Sequence, residues 1–279
     1  MRRGRLDRRL WLNTIISNDP RMVTVSNRLI FSHLEEPRVH RVFDILEGDA
    51  EVQTYLRMSN EMVVKRMNYN DHGPVHARIA AGSSLEILDL ITKVVEPTTV
   101  ANGICDREGA MLVTMVGSYL HDVGNSVHRS DHIMHSCYLA APILERVYSR
   151  VYPDDPELVL KMKCETLHAI YAHEDPIKAL SIEAGAAKVA DGTDMAEGRA
   201  RIPYRGGKVD MHSISATAIK RVDIEEGDDK PVCIRIYMDN PAGVFQIEEV
   251  IGKKIETSNI SSYVELVAIE NGREIKTVG

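Results

Sequence analysis

The chain has 279 residues, of which 44% are hydrophobic and 27% charged, with a formal net charge of −7. Such a composition fits a soluble globular protein with room for one large domain and a small one. The negative balance argues against nonspecific nucleic-acid binding, aromatics at 5% leave little for stacking on single strands, and no stretch approaches the ~18 apolar residues of a membrane span.

The opening "MRRGRLDRRL" carries five Arg against one Asp. Residues 1–28 read as a basic extension without fixed structure, or as a start placed ahead of a true beginning at Met22. From Leu29 to Met67 apolar residues recur at helical spacing (Val42, Ile45, Leu46, then Leu56, Met62, Val63, Met67), and Gly48-Asp49 marks a break between two helices. Pro74 suits the first position of the next helix. That start puts His76 in the first turn, facing inward ahead of Ile79, Leu85 and Leu88, with His72 just before it. Taken singly, either histidine reads as a hydrogen-bonded core or cap residue.

Asp106 is a good N-cap for "AMLVTMVGSYLHDVG", which is apolar on most faces and therefore central. His121 and Asp122 fall at its end, with Gly124 placed to cap it. The next stretch supplies His128, Arg129, His132 and His135, and a helix from about Ser130 puts His132 and His135 on a face with Leu139. Arg129 can fork onto a phosphate or pair with Asp131 at the surface. A further helix ends at Pro176, with His173-Glu174 at its end as His121-Asp122 end the earlier one. The helix after that carries Asp191 and Asp194, with Arg199 and Arg201 beyond; the two arginines read as phosphate contacts or, with Asp194, as an ion-pair network bracing the turn.

Past Pro203 the texture changes. "AIKRVDIEEGDD" and "PVCIRIYMD" read as strands, "GVFQIEEVIGKKIETS" as a helix with a Glu249–Lys253 pair, and "SSYVELVAIENGREIKTV" as one strand or a hairpin. No residues of ligand type and spacing occur in this β-β-α-β stretch. The expected fold is mainly α: an all-helical domain with a metal site over residues 29–205, then a small α+β domain over 206–279. The four cysteines (Cys105, Cys137, Cys164, Cys233) lack CxxC spacing and read as reduced thiols of a cytoplasmic protein.

His76, His121, Asp122 and Asp191 form a mixed nitrogen and oxygen set without cysteine, suited to a divalent metal with coordination positions left open for catalysis. His135 and His173 are placed for a second metal, with the Asp122 carboxylate as the bridge. A metal so held lowers the pKa of bound water from ~16 to ~7. Mn, Fe, Mg, Ni and Zn fit alike, so the expectation is one or two divalent ions per chain.

The ordered series "NDHGPVH", His121-Asp122, "HIMH", "YAHE" and "VADGTD" resembles the HD superfamily of metal-dependent phosphohydrolases, over roughly Val63 to Pro203. The resemblance implies an all-helical core, His76, His121, Asp122 and Asp191 as ligands of the first metal, and a phosphate-ester substrate. "YNDHGPVHA" looks like the Y-H-N-x-x-H-A motif of cyclic-nucleotide phosphodiesterases, which maps His72 to the general acid, although Asn70 and Asp71 precede it here. "HSCYLAAPIL" and "YAHEDP" look like the HD-GYP branch, which implies His135 and His173, with Glu174, at a second metal. The GYP signature is absent, and Asn125 stands where that branch has lysine.

The expected activity is hydrolysis of a nucleotide-like small-molecule phosphate ester. His72, Asp122 and Arg129 would carry the catalysis, and His128, Arg129, Arg199 and Arg201 would hold the substrate. A two-metal phosphodiesterase is preferred. The alternatives are a one-metal nucleoside-monophosphate phosphatase and a non-catalytic metal or nucleotide sensor signalling through its C-terminal domain. No membrane or nucleic-acid partner is expected, and homo-oligomerisation is left open. The whole arrangement also resembles uncharacterised archaeal HD proteins.

Overall fold

A computed structural model describes residues 22–196 and 211–278. The break expected at Gly48-Asp49 separates α1 (Pro37–Gly48) from α2 (Ala50–Asn60), which continues as a π-helical turn over Glu61–Arg66. α3 (Pro74–Ile91) starts on its proline, where the missing N–H costs nothing. A single turn, α4 (Thr98–Ala101), leads to α5 (Arg107–Leu120), whose residues from Gly109 to Leu120 are all buried. The Asp106 carboxylate caps α5 by accepting from the Gly109 N–H at 2.9 Å. α6 (His132–Val151), α7 (Pro156–Tyr171) and α8 (Ile182–Thr193) complete the helical layer, and α5 packs against α3, α7 and α8. None of the helices in the described residues is long and apolar enough to cross a membrane.

Asp49 illustrates how these helices are fastened. Its carboxylate accepts from the N–H groups of Glu51 (2.9 Å) and Val52 (3.3 Å), capping α2, and also takes the Arg146 guanidinium at 2.6 Å. Burial pushes the Asp49 pKa up, but these bonds outweigh it and hold the carboxyl below its ordinary value of 3.8. A depressed folded pKa means the stabilisation is present above the unfolded value and is lost as pH falls through the folded one. Asp49→Ala therefore costs about 1–2 kcal/mol at pH 7. Urea unfolding should show that gap closing as the pH drops below 4, and an equal gap at pH 7 and pH 3 would contradict this account.

After residue 210 the chain forms α9 (Met211–Ala218) and a five-stranded sheet in the order β1-β2-β3-β4-β5. Its strands are β1 (Met22–Thr24), β2 (Ile219–Glu225), β3 (Val232–Met238), β4 (Val264–Glu270) and β5 (Arg273–Val278). β4 and β5 are the hairpin form of the two alternatives left by the sequence. β3 and β4 pair in parallel, which a tight turn cannot achieve, so the chain crosses over through the helical segment 241–256. That segment contains a π-helical turn, Ile247–Gly252, and ends in α10 (Lys253–Glu256).

One expectation needs correction. Met22–Thr24 fell within the stretch expected to lack structure, yet β1 pairs antiparallel with β2, and Thr24 Oγ1 donates to Asp223 Oδ1 at 2.7 Å. The helical part and the sheet share buried side chains. Ile219, Val222, Ile234, Ile251 and Ile260 belong to one continuous buried cluster with Ile30, Leu85, Val116 and Val189. A strand face with alternating Val232, Ile234, Ile236 and Met238 has to be covered, and α3 lies against β2 and β3. Segment 241–256 packs on α8, and just beyond that segment the Ser258 carbonyl oxygen would stand only 2.2 Å from a Cβ on Gly185. The boundary expected at 205/206 lies outside the described residues.

Candidate metal centre

Two helix ends and two helix starts meet at one point. α5 ends at Leu120 and α7 at Tyr171, and each leaves carbonyl groups without an intrahelical partner. His121 and His173 use them in the same way: the Nδ1–H of each donates, at 2.6 Å, to the carbonyl three residues back, of Ser118 and Ile170 respectively. Both rings therefore turn Nε2 inward. His76, in the first turn of α3, donates from Nδ1 to the Asp194 carboxylate at 2.7 Å, and His132, at the start of α6, donates from Nδ1 to the Arg129 carbonyl at 3.1 Å. A histidine whose outer nitrogen is held by an oxygen acceptor has its tautomer fixed for metal ligation through the other.

The inward atoms fall into two sets. In the first, His76 Nε2 lies 3.2 Å from His121 Nε2 and 3.1 Å from Asp191 Oδ1. Asp122 Oδ2 lies 3.3 Å from His121 Nε2 and 3.5 Å from His76 Nε2. Two donors each about 2.1 Å from one ion stand about 3.0–3.4 Å apart in octahedral or tetrahedral coordination, so the first set fits a divalent metal. In the second, His132 Nε2 lies 3.2 Å from His173 Nε2, 3.4 Å from Glu174 Oε1 and 3.6 Å from Asp122 Oδ1. Asp122 thus offers one oxygen to each set. His76, His121, Asp122 and His173 are buried, whereas the Arg129 and Glu174 side chains retain 31% and 27% of their exposure, so the site opens on their side.

The charges are strongly coupled. Burial opposes charge on His121, but the carboxylates of Asp122 and Asp191 prevail and raise its pKa from 6.5 to about 10. Burial would likewise push Asp122 up, yet His121 and His72 hold it well below the ordinary carboxylate value. Asp191 is lowered in the same sense, by Lys254 and His121 against the effect of burial. Burial, reinforced by His121 and Lys254, drives His173 well below 6.5. Burial also lowers His132, outweighing the pull of Asp122. A metal entering the first set would displace the His121 proton.

Of the residues predicted from sequence, His76, His121, Asp122, Asp191 and His173 converge. His72 is buried beside them, its Nε2 4.0 Å from Asp122 Oδ2 and its Nδ1–H donated to the Asn70 carbonyl at 2.7 Å. Arg129 lies at the mouth, 3.0 Å from Glu174 Oε1 and 3.1 Å from His132 Nε2. His128 is exposed and accepts from the Ser130 N–H, away from the donor sets. Arg199 and Arg201 lie outside the described residues.

The structure brings His132, and not the expected His135, to the inward donor atoms. The buried stripe of α6 runs through His132, Ser136, Ala140, Ile143 and Val147, and His135 lies off it. Gly124 does not cap α5, whose C-cap is His121, and φ is positive only at Gly103 and Gly272 among the described glycines. Gly124 sits in a 3₁₀ turn, Val123–Ser126, where a Cβ would meet the His132 carbonyl at 2.1 Å. That close approach brings Asp122 to His132. Sequence reasoning also missed Asn125, whose amide donates to Asp122 Oδ1 at 2.7 Å, and Asp194 as the partner of His76. It gave no hint of Lys254, whose ammonium lies 2.9 Å from Asp191 Oδ2.

The family model described as HD domain matches residues 90–196, a span holding His121, Asp122, His132, His173, Glu174 and Asp191. The chain is also 46% identical over 228 residues to uncharacterized protein MJ1020 of Methanocaldococcus jannaschii, covering 81% of this chain and 87% of that one. No solved structure matches.

Proposed function

The chain belongs to the HD superfamily, and from that premise we propose that it is a metal-dependent phosphohydrolase using two ions to cleave a nucleotide-like phosphodiester. The observation carrying this reading is Asp122, with Oδ2 turned to His76 and His121 and Oδ1 turned to His132. Divalent ions bound there supply Lewis acidity and water acidified to a pKa near ~7. The chain's own groups do the rest. His72, with Nδ1 donated to Asn70 and Nε2 turned toward Asp122 at 4.0 Å, would hand a proton to the leaving oxygen. Arg129, at the open side, offers a planar fork to a phosphate that displaces it from Glu174. The nucleotide-like substrate class rests on the likeness of "YNDHGPVHA" to cyclic-nucleotide phosphodiesterases.

One observation favours a second reading. The Arg129 guanidinium itself lies within 3.0–3.9 Å of Glu174, His132 and Asp122. A cation is thus already present at the second donor set, as a one-metal phosphomonoesterase would have it. Metal content per chain, by elemental analysis of protein purified without a metal-affinity tag, separates the two. Two ions in wild type, about one in His132→Ala and two in His135→Ala are expected. One ion in all three proteins would overturn the two-metal reading and establish Arg129 as the second cation.

A further inference from the structure

We propose that Lys254 is a positioning residue of the metal centre, holding Asp191 as a one-oxygen ligand so that the C-terminal part of the chain completes the site. The inference rests on the metal-centre reading above and adds to it a group from outside the span matched by the family model.

A carboxylate can bind an ion through one oxygen or both. Asp191 turns Oδ1 toward His76 Nε2 (3.1 Å) and His121 Nε2 (3.5 Å), while Oδ2 takes the Lys254 ammonium at 2.9 Å. The ammonium occupies the second oxygen and restrains rotation of the carboxylate, leaving Oδ1 for the ion. Asp122 differs: both of its oxygens face histidine nitrogens, and the amide of Asn125 steadies it without adding charge.

The same ammonium donates to the His173 carbonyl at 2.7 Å. One side chain, 7% exposed, therefore spans both donor sets: the carboxylate of the first and the backbone of the loop that carries His173-Glu174. A buried ammonium is strongly disfavoured unless it is paired and hydrogen-bonded, and these two oxygens meet that need. The rest of the loop is fastened from two sides. Lys188 on α8 donates to the carbonyls of Ile177 (2.6 Å) and Glu174 (3.2 Å), and Thr257, next to α10, donates to Asp175 at 2.8 Å. Lys188 braces the loop through its backbone and the Asp175 carboxylate (3.2 Å), whereas Lys254 reaches a carboxylate of the donor set. That difference makes Lys188 the comparison for the test.

The test is Mn²⁺ affinity by chelator competition on metal-stripped full-length protein, for wild type, Lys254→Met, Lys254→Arg and Lys188→Met, with circular dichroism to confirm the fold. Groups that orient ligands from behind typically govern 10–100-fold in metal affinity. Lys254→Met should weaken the tighter site at least tenfold, Lys254→Arg should restore most of that loss, and Lys188→Met should weaken it less. If Lys254→Met does not fold, Lys254→Gln is compared with Lys254→Arg. Weaker binding in the glutamine protein supports the proposal, and equal binding overturns it. Wild-type affinity in Lys254→Met, or an equal loss in Lys188→Met, would also overturn it. A wild type that takes up no Mn²⁺ would instead remove the metal centre itself, which separates the failure of the two readings.

Discussion

Asp122→Asn lowers turnover of a generic aryl phosphodiester at least a thousandfold and brings the metal content below one ion per chain. The expectation follows from the two oxygens of one carboxylate standing 3.3 Å from His121 Nε2 and 3.6 Å from His132 Nε2. An asparagine keeps the shape but replaces one oxygen with an NH₂ group that cannot ligate, and it removes the negative charge from both sets. A thousandfold corresponds to about 4 kcal/mol of transition-state stabilisation, a reasonable loss for a centre stripped of the bridge proposed above. The fold should persist, because the Asp122 backbone carbonyl still accepts from Ser59 Oγ at 3.1 Å and the Asn125 amide at 3.2 Å. A variant within tenfold of wild type, with its metal content intact, would sink the bridging role.

The second large effect concerns stability. A chain comprising residues 22–205, the helical part alone, should fail to fold cooperatively. The sheet and segment 241–256 cover faces of α3 and α8 whose side chains lie in the same buried cluster as Ile219, Ile234, Ile251 and Ile260. Each aliphatic side chain returned to water costs about 1.5–3 kcal/mol, against a typical total stability of about 5–15 kcal/mol. β1 would lose the β2 strand with which it pairs, and Asp191 would lose its lysine. Scanning calorimetry decides the matter. The truncated chain should keep helical dichroism and lose the sharp heat-absorption peak. A sharp peak close to that of the full-length protein would mean the helices hold a core of their own.

The sequence made legible those site residues whose position follows from a helix end. His76 follows from a proline that starts α3, and His121-Asp122 from the exhaustion of an apolar run. His173-Glu174 repeats that arrangement after α7. His132 was hidden because the inward face of α6 is marked by small residues, Ser136 and Ala140, which allow close approach, whereas the large Leu139 that drew His135 into the prediction is only partly buried. The left-handed Asp131 (φ 58°) also starts the helix later than its composition implies. Lys254 was hidden for a different reason. Its neighbour Lys253 makes the expected surface pair with Glu249, and nothing local distinguishes a lysine that faces water from one aimed at a carboxylate 63 positions earlier. The β strands were legible from alternation, but the return of Met22–Thr24 to pair with residues some 200 positions away was not.

That return has a temporal side. A ribosome delivers the chain from its N-terminus at about 5–20 residues per second, so several seconds separate the emergence of Asp191 from that of Lys254. During that interval a nascent chain already exposes the four imidazoles and the acidic side chains of both donor sets. It still lacks the ammonium that takes one oxygen of Asp191 and the strands that close over α3. An ion captured in that interval meets a looser and more promiscuous set of ligands than the finished protein presents. Which metal the mature centre carries would then depend partly on which metal is plentiful while the last third of the chain is still being made.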